Sequence, residues 1–269
     1  MKTTYLLLSS ALLLGCVSAC NTSGQKSKEM KTDDGSITTV ETVGSKLTIC
    51  DLSLVKDTIE VPLSEFVEDC RIVRFGTSEE AYFKAWFINA TDNYIGIRQG
   101  DRGVFKLFDR NGKFLYNVGS VGSGPGEYDT TLYDECIDEK NGHIFFTPFV
   151  GKRIMMYDIN GQWIKDIQLP IQVNKPKIWV NEDGSLSIIH MPFNEGEPLA
   201  FQMDTDGNIL KQIPATAATK VMNFDGEIFS YRNCNDFDFF HTSIDTLFTY
   251  DSTNNKLLPR FTMTFPNMN

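Results

Sequence analysis

The chain of 269 residues is 41% hydrophobic and 12% aromatic, with 20 Phe, enough to bury a sizeable core. Its 25 Lys and Arg stand against 35 Asp and Glu, a net charge of −10, and no basic cluster breaks that balance. Repulsion therefore excludes nucleic acid and disfavours anionic lipid head groups as partners.

The start, Met1-Lys2-Thr3-Thr4, carries one side-chain charge, and Tyr5–Leu14 is almost wholly apolar and uncharged. That run is too short to cross a bilayer, which takes about 20 apolar residues, but it suits a secretory signal. Val17-Ser18-Ala19-Cys20 and Leu13-Leu14-Gly15-Cys16 both resemble the bacterial lipobox: an aliphatic residue, a variable one and a small one before the cysteine that is acylated. Cys20 is the expected lipidation site and Cys16 the alternative, because Cys20 leaves the whole apolar run upstream and a polar stretch downstream. Each buried methylene contributes about 0.8 kcal/mol, so two or three acyl chains anchor stably where one does so marginally. Removing residues 1–19 as a signal peptide takes away Lys2 and no acid, leaving about −11. Composition stays polar and aperiodic to about Ser45, so residues 20–49 are expected to form a flexible tether and 50–269 the folded domain. No acidic run follows Cys20, and the expected place is the outer membrane, facing the periplasm.

Cys50, Cys70, Cys136 and Cys234 fall in the folded part, where an oxidising compartment permits three complete pairings. Buried thiols acting as small apolar side chains are the alternative. None has CxxC or His-rich spacing, so no zinc site is expected.

An internal repeat then sets the architecture. Phe108-Asp109-Arg110-Asn111-Gly112-Lys113-Phe114, Tyr157-Asp158-Ile159-Asn160-Gly161-Gln162-Trp163, Met203-Asp204-Thr205-Asp206-Gly207-Asn208-Ile209 and a degenerate Tyr250-Asp251-Ser252-Thr253-Asn254-Asn255-Lys256 start 49, 46 and 47 residues apart. A period of about 40–50 residues belongs to propellers or solenoids. Asn-Gly and Asp-Gly between apolar runs predict hairpins with type I′ turns, in which both central residues have positive φ. Strands such as Val104–Phe108 and Phe114–Val118 flank the first turn, and Ile154–Tyr157 and Trp163–Ile167 the second. Two further apolar runs precede each pair: Trp86–Ala90 with Tyr94–Ile97, Glu135–Asp138 with His143–Phe146, and Lys177–Val180 with Ser185–Ile189. Four antiparallel strands per period make a propeller blade. The mature chain shows no convincing amphipathic helix. The expected fold is an all-β propeller of four-stranded antiparallel blades.

The Asp-x-Asn/Asp-Gly turn, followed by Val118-Gly119-Ser120-Val121-Gly122-Ser123-Gly124-Pro125-Gly126-Glu127-Tyr128, resembles the bacterial six-bladed β-propeller lipoproteins, which are related to NHL-repeat and TolB-like propellers. The resemblance implies that Gly124, Pro125, Gly126, Glu127 and Tyr128 join one blade to the next. It also makes Thr58–Pro62 with Arg71–Phe75 similar to the family's N-terminal closing segment, and extends to Ile244–Phe248 with Leu258–Phe261. Six blades of this period need about 280 residues, whereas residues 50–269 supply 220. Four to five blades, in an open or incomplete ring, are therefore expected.

Gly122-Ser123-Gly124-Pro125-Gly126 lacks the Lys-Ser/Thr and the helix of a phosphate-binding loop, so its glycines are better explained by a turn, with Glu127 pinning it. His143, His190 and His241 lie 47 and 51 residues apart but take different places in the repeat, which gives little ground for a shared metal site. No nucleophile elbow or H-E-x-x-H appears. Asp236 and Asp238 alternate with Phe237, Phe239 and Phe240 as a strand would. No catalytic residue, cofactor or metal is expected; the leading function is binding of a protein, peptide or glycan by a lipid-anchored scaffold. An NHL-like lyase or hydrolase with an acidic and His site at the axis is the alternative.

Overall fold

The computed structural model describes residues 35–265 except 43, 101, 232–235 and 243, so Cys16, Cys20 and Cys234 lie outside the described residues. A hairpin of β1 (Ile37–Thr42) and β2 (Ser45–Asp51) comes first. Blade I is β3 (Ala85–Ala90), β4 (Tyr94–Gln99), β5 (Phe105–Asp109) and β6 (Phe114–Val118). Two-residue strands β7 (Ser120–Val121) and β8 (Glu127–Tyr128) lead to blade II: β9 (Leu132–Asp138), β10 (His143–Pro148), β11 (Val150–Asp158) and β12 (Trp163–Asn174). Blade III is β13 (Lys177–Val180), β14 (Leu186–Ile189), β15 (Pro198–Met203) and β16 (Ile209–Pro214). Blade IV is β17 (Ile228–Tyr231), β18 (Asp238–His241), β19 (Thr246–Asp251) and β20 (Lys256–Thr264). Among the described residues the only helical turns are Leu63–Glu65 and Glu79–Ala81. The molecule is all-β, with four blades whose sheets do not close into a ring.

The repeated turns differ from the expected type I′ geometry. Gly112, Gly161 and Gly207 have φ of 84°, 83° and 96°, but Asn111, Asn160 and Asp206 are not among the positive-φ residues. Each strand pair instead slips by one residue just before the turn, at Leu107/Phe108, Met156/Tyr157 and Gln202/Met203. This is a type I turn closed by a left-handed glycine and a bulge. The repeated Asp explains the choice: Asp109 Oδ1 accepts from the Asn111 and Lys113 N–H groups, at 2.8 and 3.0 Å, and Asp158 and Asp204 do the same two and four residues on. In blade IV the left-handed residue is Asn255, at φ 52°.

The core lies between blades rather than within them. Phe105, Leu107 and Val118 of blade I pack with Ile144, Phe146, Met155 and Tyr157 of blade II. Phe145, Ile154 and Met156 on the opposite face of blade II pack with Ile178, Ile188 and Phe201 of blade III, and Ile189 and Ala200 pack with Ile228, Phe239 and Tyr250 of blade IV. Strands buried on both faces result, which is why β10 and β15 are near-continuous apolar runs.

The same stacking shows what residues 71–83 do. The turn glycine of each blade abuts the outer strand before it: a Cβ on Gly161 would lie 3.2 Å from Asn117 O in β6, and one on Gly207 2.5 Å from Gln168 O in β12. The Gly112 turn meets Arg74 O in the same way, and Gly76 N donates to Gly112 O at 2.9 Å. Val73, Phe75, Ala81 and Phe83 cover Ile95, Ile97 and Phe108, with the Phe75 and Phe108 rings edge-on at 4.9 Å. Residues 71–76 thus stand where the outer strand of a preceding blade would, without the other three strands. Arg71–Phe75 forms no ladder, since no strand among the described residues pairs with it.

The N-terminal hairpin does something else: β2 pairs in parallel with β20, Thr48 to Phe261 through Asp51 to Thr264, making blade IV six-stranded. The expected tether of 20–49 and these strands therefore overlap from Ile37 onward; the β-branched run Ile37-Thr38-Thr39-Val40 is polar enough to look like linker, yet has high strand preference. Cys50 and Cys70 are free thiols.

Turn glycines separate two costs. Gly184→Ala, where φ is 83° and a Cβ has open space, should cost about 1 kcal/mol from backbone strain alone. Gly207→Ala, with its Cβ against Gln168 O, and Gly161→Val should cost more, about 2 kcal/mol or above. Equal urea midpoint shifts at Gly184 and Gly207 would remove the blade contact as a cause.

Candidate functional site

Three ion pairs run along the axial side, one at each blade junction. Between blades I and II, Arg98 Nε lies 2.7 Å from Glu135 Oε2, with side chains only 3% and 4% exposed. Arg98 Nη1 also donates to Leu132 O at 3.0 Å, and the guanidinium sits 4.3 Å from the Phe87 ring centroid. Between blades II and III, Lys177 Nζ is 3.9 Å from Asp134 Oδ1, and Asp134 Oδ2 accepts the Ile178 N–H at 2.9 Å. Between blades III and IV, Lys175 Nζ is 3.2 Å from Glu227 Oε2 and donates to Phe224 O and Gly226 O at 2.8 and 2.6 Å. Burial holds the Lys175 ammonium pKa down and pushes the Glu227 carboxyl up, the latter against a smaller pull from Arg98. Cations and carboxylates match one for one, and their hydrogen bonds are directed into the neighbouring blade. The axis is built as a set of junctions.

The histidines do not converge. His190 directly follows β14 and His241 ends β18, the corresponding places in blades III and IV. His143 starts β10, at the opposite end of a second strand, paired with Asp158. Burial lowers the pKa of both His190 and His241 to about 4, opposed at His190 by Glu197. Both imidazoles are neutral at pH 7. Because the folded values lie below the ordinary 6.5, their stabilising contribution is complete above pH 6.5 and is lost as pH falls toward 4, by up to about 1.4 kcal/mol per pH unit for each ring. Unfolding midpoints should fall over that window, and His190→Gln with His241→Gln should flatten it. Among the described residues, no three His, Cys, Asp or Glu side chains are grouped to hold a metal.

Gly124–Tyr128 lies between blades I and II. Glu127 Oε2 accepts the Gly124 N–H at 2.8 Å, and Gly126, at φ 70°, gives its carbonyl to Tyr157 OH at 3.1 Å. Pro125 occupies the turn between them. Tyr128 is fully buried; its hydroxyl accepts from Phe105 N and donates to Val118 O, and burial pushes its pKa up to about 12. Their polar groups are spent within the link and on its immediate neighbours, Ser120, Tyr157 and Arg153.

Unspent groups gather elsewhere, in a cleft of about 580 Å³ between blades III and IV. One wall is Trp179, half-buried and stacked on Phe237 with centroids 5.8 Å apart and planes 16° from parallel. The floor is a hydrogen-bonded chain. Ser185 Oγ donates to Asp183 Oδ1 and so must accept from Gln202 Nε2, at 2.6 Å, and from Asn181 Nδ2, at 2.9 Å. Asn181 Oδ1 in turn accepts from Ser252 Oγ of blade IV at 3.0 Å. That direction fixes the Gln202 amide, leaving Oε1 without a partner in a side chain only 5% exposed. Arg260 donates from Nε to Thr249 Oγ1 at 2.8 Å, and its terminal amino groups face no bonded acceptor among the described residues. Thr249 passes the contact on to Asp238, whose carboxyl is pushed up by burial. A second hollow, about 280 Å³ beside Arg153, differs in that Arg153 is consumed by Asp166, Asp129 and the Glu127 carbonyl.

The family model for a domain of unknown function, DUF4934, matches residues 47–268. The chain belongs to the DUF4934 family. No curated protein matches the sequence. A Bacteroides fragilis protein assigned as exported is similar in structure, with a TM-score of 0.58 at 15% identity, over 73% of this chain and 57% of that one. A DUF4221 member from Bacteroides vulgatus gives 0.47 at 11% identity over 71% and 62%, and virginiamycin B lyase from Staphylococcus aureus 0.46 at 16% over 64% and 53%. This DUF4934 chain therefore spans little more than half the length of the solved structures it resembles, and the first likeness shows the fold alone.

Sequence reasoning passed over the cleft. Trp179, Gln202, Lys211 and Arg260 sit on four different strands, and only blade stacking brings them together. The one available signal was a Gln at a fully apolar stretch, Leu199-Ala200-Phe201-Gln202-Met203, where a polar side chain is buried between core residues.

Proposed function

We propose that this DUF4934 protein is an exported, lipid-anchored envelope protein whose open propeller binds a ligand, without catalysis, in the cleft between blades III and IV. The Trp179 wall and the terminal N–H groups of Arg260, unbonded among the described residues, in one cleft of about 580 Å³, carry the reading: an aromatic surface beside free donors is what a polar small molecule engages. Paired axial charges and neutral, separated histidines argue against an axial acid–base site. The signal-like start and Cys20 support export and anchoring, and the exported assignment of the Bacteroides fragilis protein supports the export alone.

Two experiments test it. Cys20→Ser should release the protein from membranes or leave it unprocessed; retention of the lipid label in that variant, with loss in Cys16→Ser, would move the anchor to Cys16. Screening the full chain against saccharide and peptide libraries beside Trp179→Ala tests the cleft. A ligand held equally by the variant places the site elsewhere, and turnover of a bound compound makes the protein an enzyme.

A further inference from the structure

We infer that the ligand of this cleft is a neutral saccharide of two or three rings; the inference rests on the cleft being the binding site. Four features select that chemistry. The first is the mixture of hydrogen-bonding groups: the Glu182 and Asp251 carboxylates on the cleft accept, while the terminal N–H groups of Arg260 need acceptors. A sugar hydroxyl is both at once, so a polyol satisfies this cleft where a purely apolar or purely acceptor ligand does not.

Charge is the second. Glu182, Asp183, Asp236 and Asp251 line the cleft against Lys211 and Arg260, and Lys211 Nζ already donates to the Ser252 and Thr253 carbonyls. Acids outnumber bases, which disfavours uronates, phosphates and sulfates. Third, Trp179 offers an aromatic wall held in place by its parallel contact with Phe237, a surface suited to the C–H face of a pyranose. Fourth, a peptide would gain most by adding as a strand, and β20 at the cleft is already paired with β19 and β2, which leaves β16 the only outer edge there for that mode. The volume, about 580 Å³, accommodates an oligosaccharide segment.

Saturation-transfer NMR and calorimetry on the full chain in detergent, with maltotriose, cellotriose, xylotriose and chitobiose, test this, beside galacturonate dimers and a tripeptide library. The expected result is millimolar or tighter binding of at least one neutral sugar, with saturation on its ring C–H groups. Trp179→Ala and Arg260→Gln should each weaken it tenfold or more. Arg260→Gln keeps a side-chain donor within reach of Thr249 Oγ1, and its urea midpoint should match the parent's, so its loss of binding cannot come from unfolding. Preference for the acidic dimers or the peptides, lost in the same two variants, would overturn the saccharide and keep the cleft. Binding that neither variant alters would overturn the cleft itself. Silence across the neutral panel at 10 mM (roughly a 2.7 kcal/mol ceiling on affinity) would overturn the saccharide inference.

Discussion

Arg98→Met should destabilise the protein by about 3–5 kcal/mol, the usual consequence of removing one partner from a buried ion pair. Glu135 would be left almost fully buried against β4, with its 2.7 Å partner gone, and the Leu132 carbonyl would lose its donor as well. The double variant Arg98→Met with Glu135→Leu should recover most of the loss, because two apolar side chains can fill the junction without an unpaired charge. Urea unfolding of the parent, both single variants and the double gives the coupling directly. The test also bears on function. If Arg98→Met folds with unchanged stability but loses ligand, the axis is a binding site and the cleft is not. If stability collapses in the single and returns in the double, the axial charges are junctions. The same logic applies to Lys175, whose Nζ holds two carbonyls and Glu227 across the next boundary but one.

What could be read in the sequence was what is local. Each repeated Asp fixes its own turn through backbone N–H groups two and four residues on, and each glycine has a left-handed φ within that turn, so the period and the four blades were legible before any coordinates. The turn type was misjudged because Asn-Gly suggests a two-residue loop, while the Asp two places earlier stabilises a longer one with a bulge. Strands β1 and β2 were hidden in a polar, β-branched stretch whose hairpin docks on β20, more than 200 residues away. The ion pairs and the cleft share that difficulty in stronger form. Arg98 and Glu135, or Trp179 and Arg260, become neighbours only when blades stack, and no residue spacing within one repeat announces the contact. Histidine spacing of 47 and 51 residues was uninformative for the converse reason: the count matched the period, but His143 is at the far end of its strand.

Amide exchange should divide the two ends of the arc sharply. In β20, residues 256–262 pair with β19 and 261–264 with β2, so Phe261 and Thr262 are held on both sides. The amides of 258–264 should open only with the blade, at protection close to that of β10 and β15. Residues 71–75 have no ladder, and the recorded main-chain tie nearby is Gly76 N to Gly112 O. Their amides should exchange orders of magnitude faster, even though Val73 and Phe75 are packed on the core. Apolar surface lies at this open end: Ile72 is 86% exposed, and Trp86 and Ile88 on the first strand of blade I are both 58% exposed. An apolar patch beside unpaired backbone favours association. Sedimentation of the full chain without its lipid should therefore show concentration-dependent association, reduced by Trp86→Lys with Ile88→Lys, which leave the Phe75–Phe83–Phe108 cluster intact. Gly112→Val should act the opposite way. Its side chain would strike Arg74 at a turn whose φ is 84°, lift residues 71–76 away, uncover that Phe cluster and raise both exchange and association. A monodisperse monomer, with residues 71–75 as slow to exchange as 258–264, would mean that the arc closes in solution and that the end of blade I is covered.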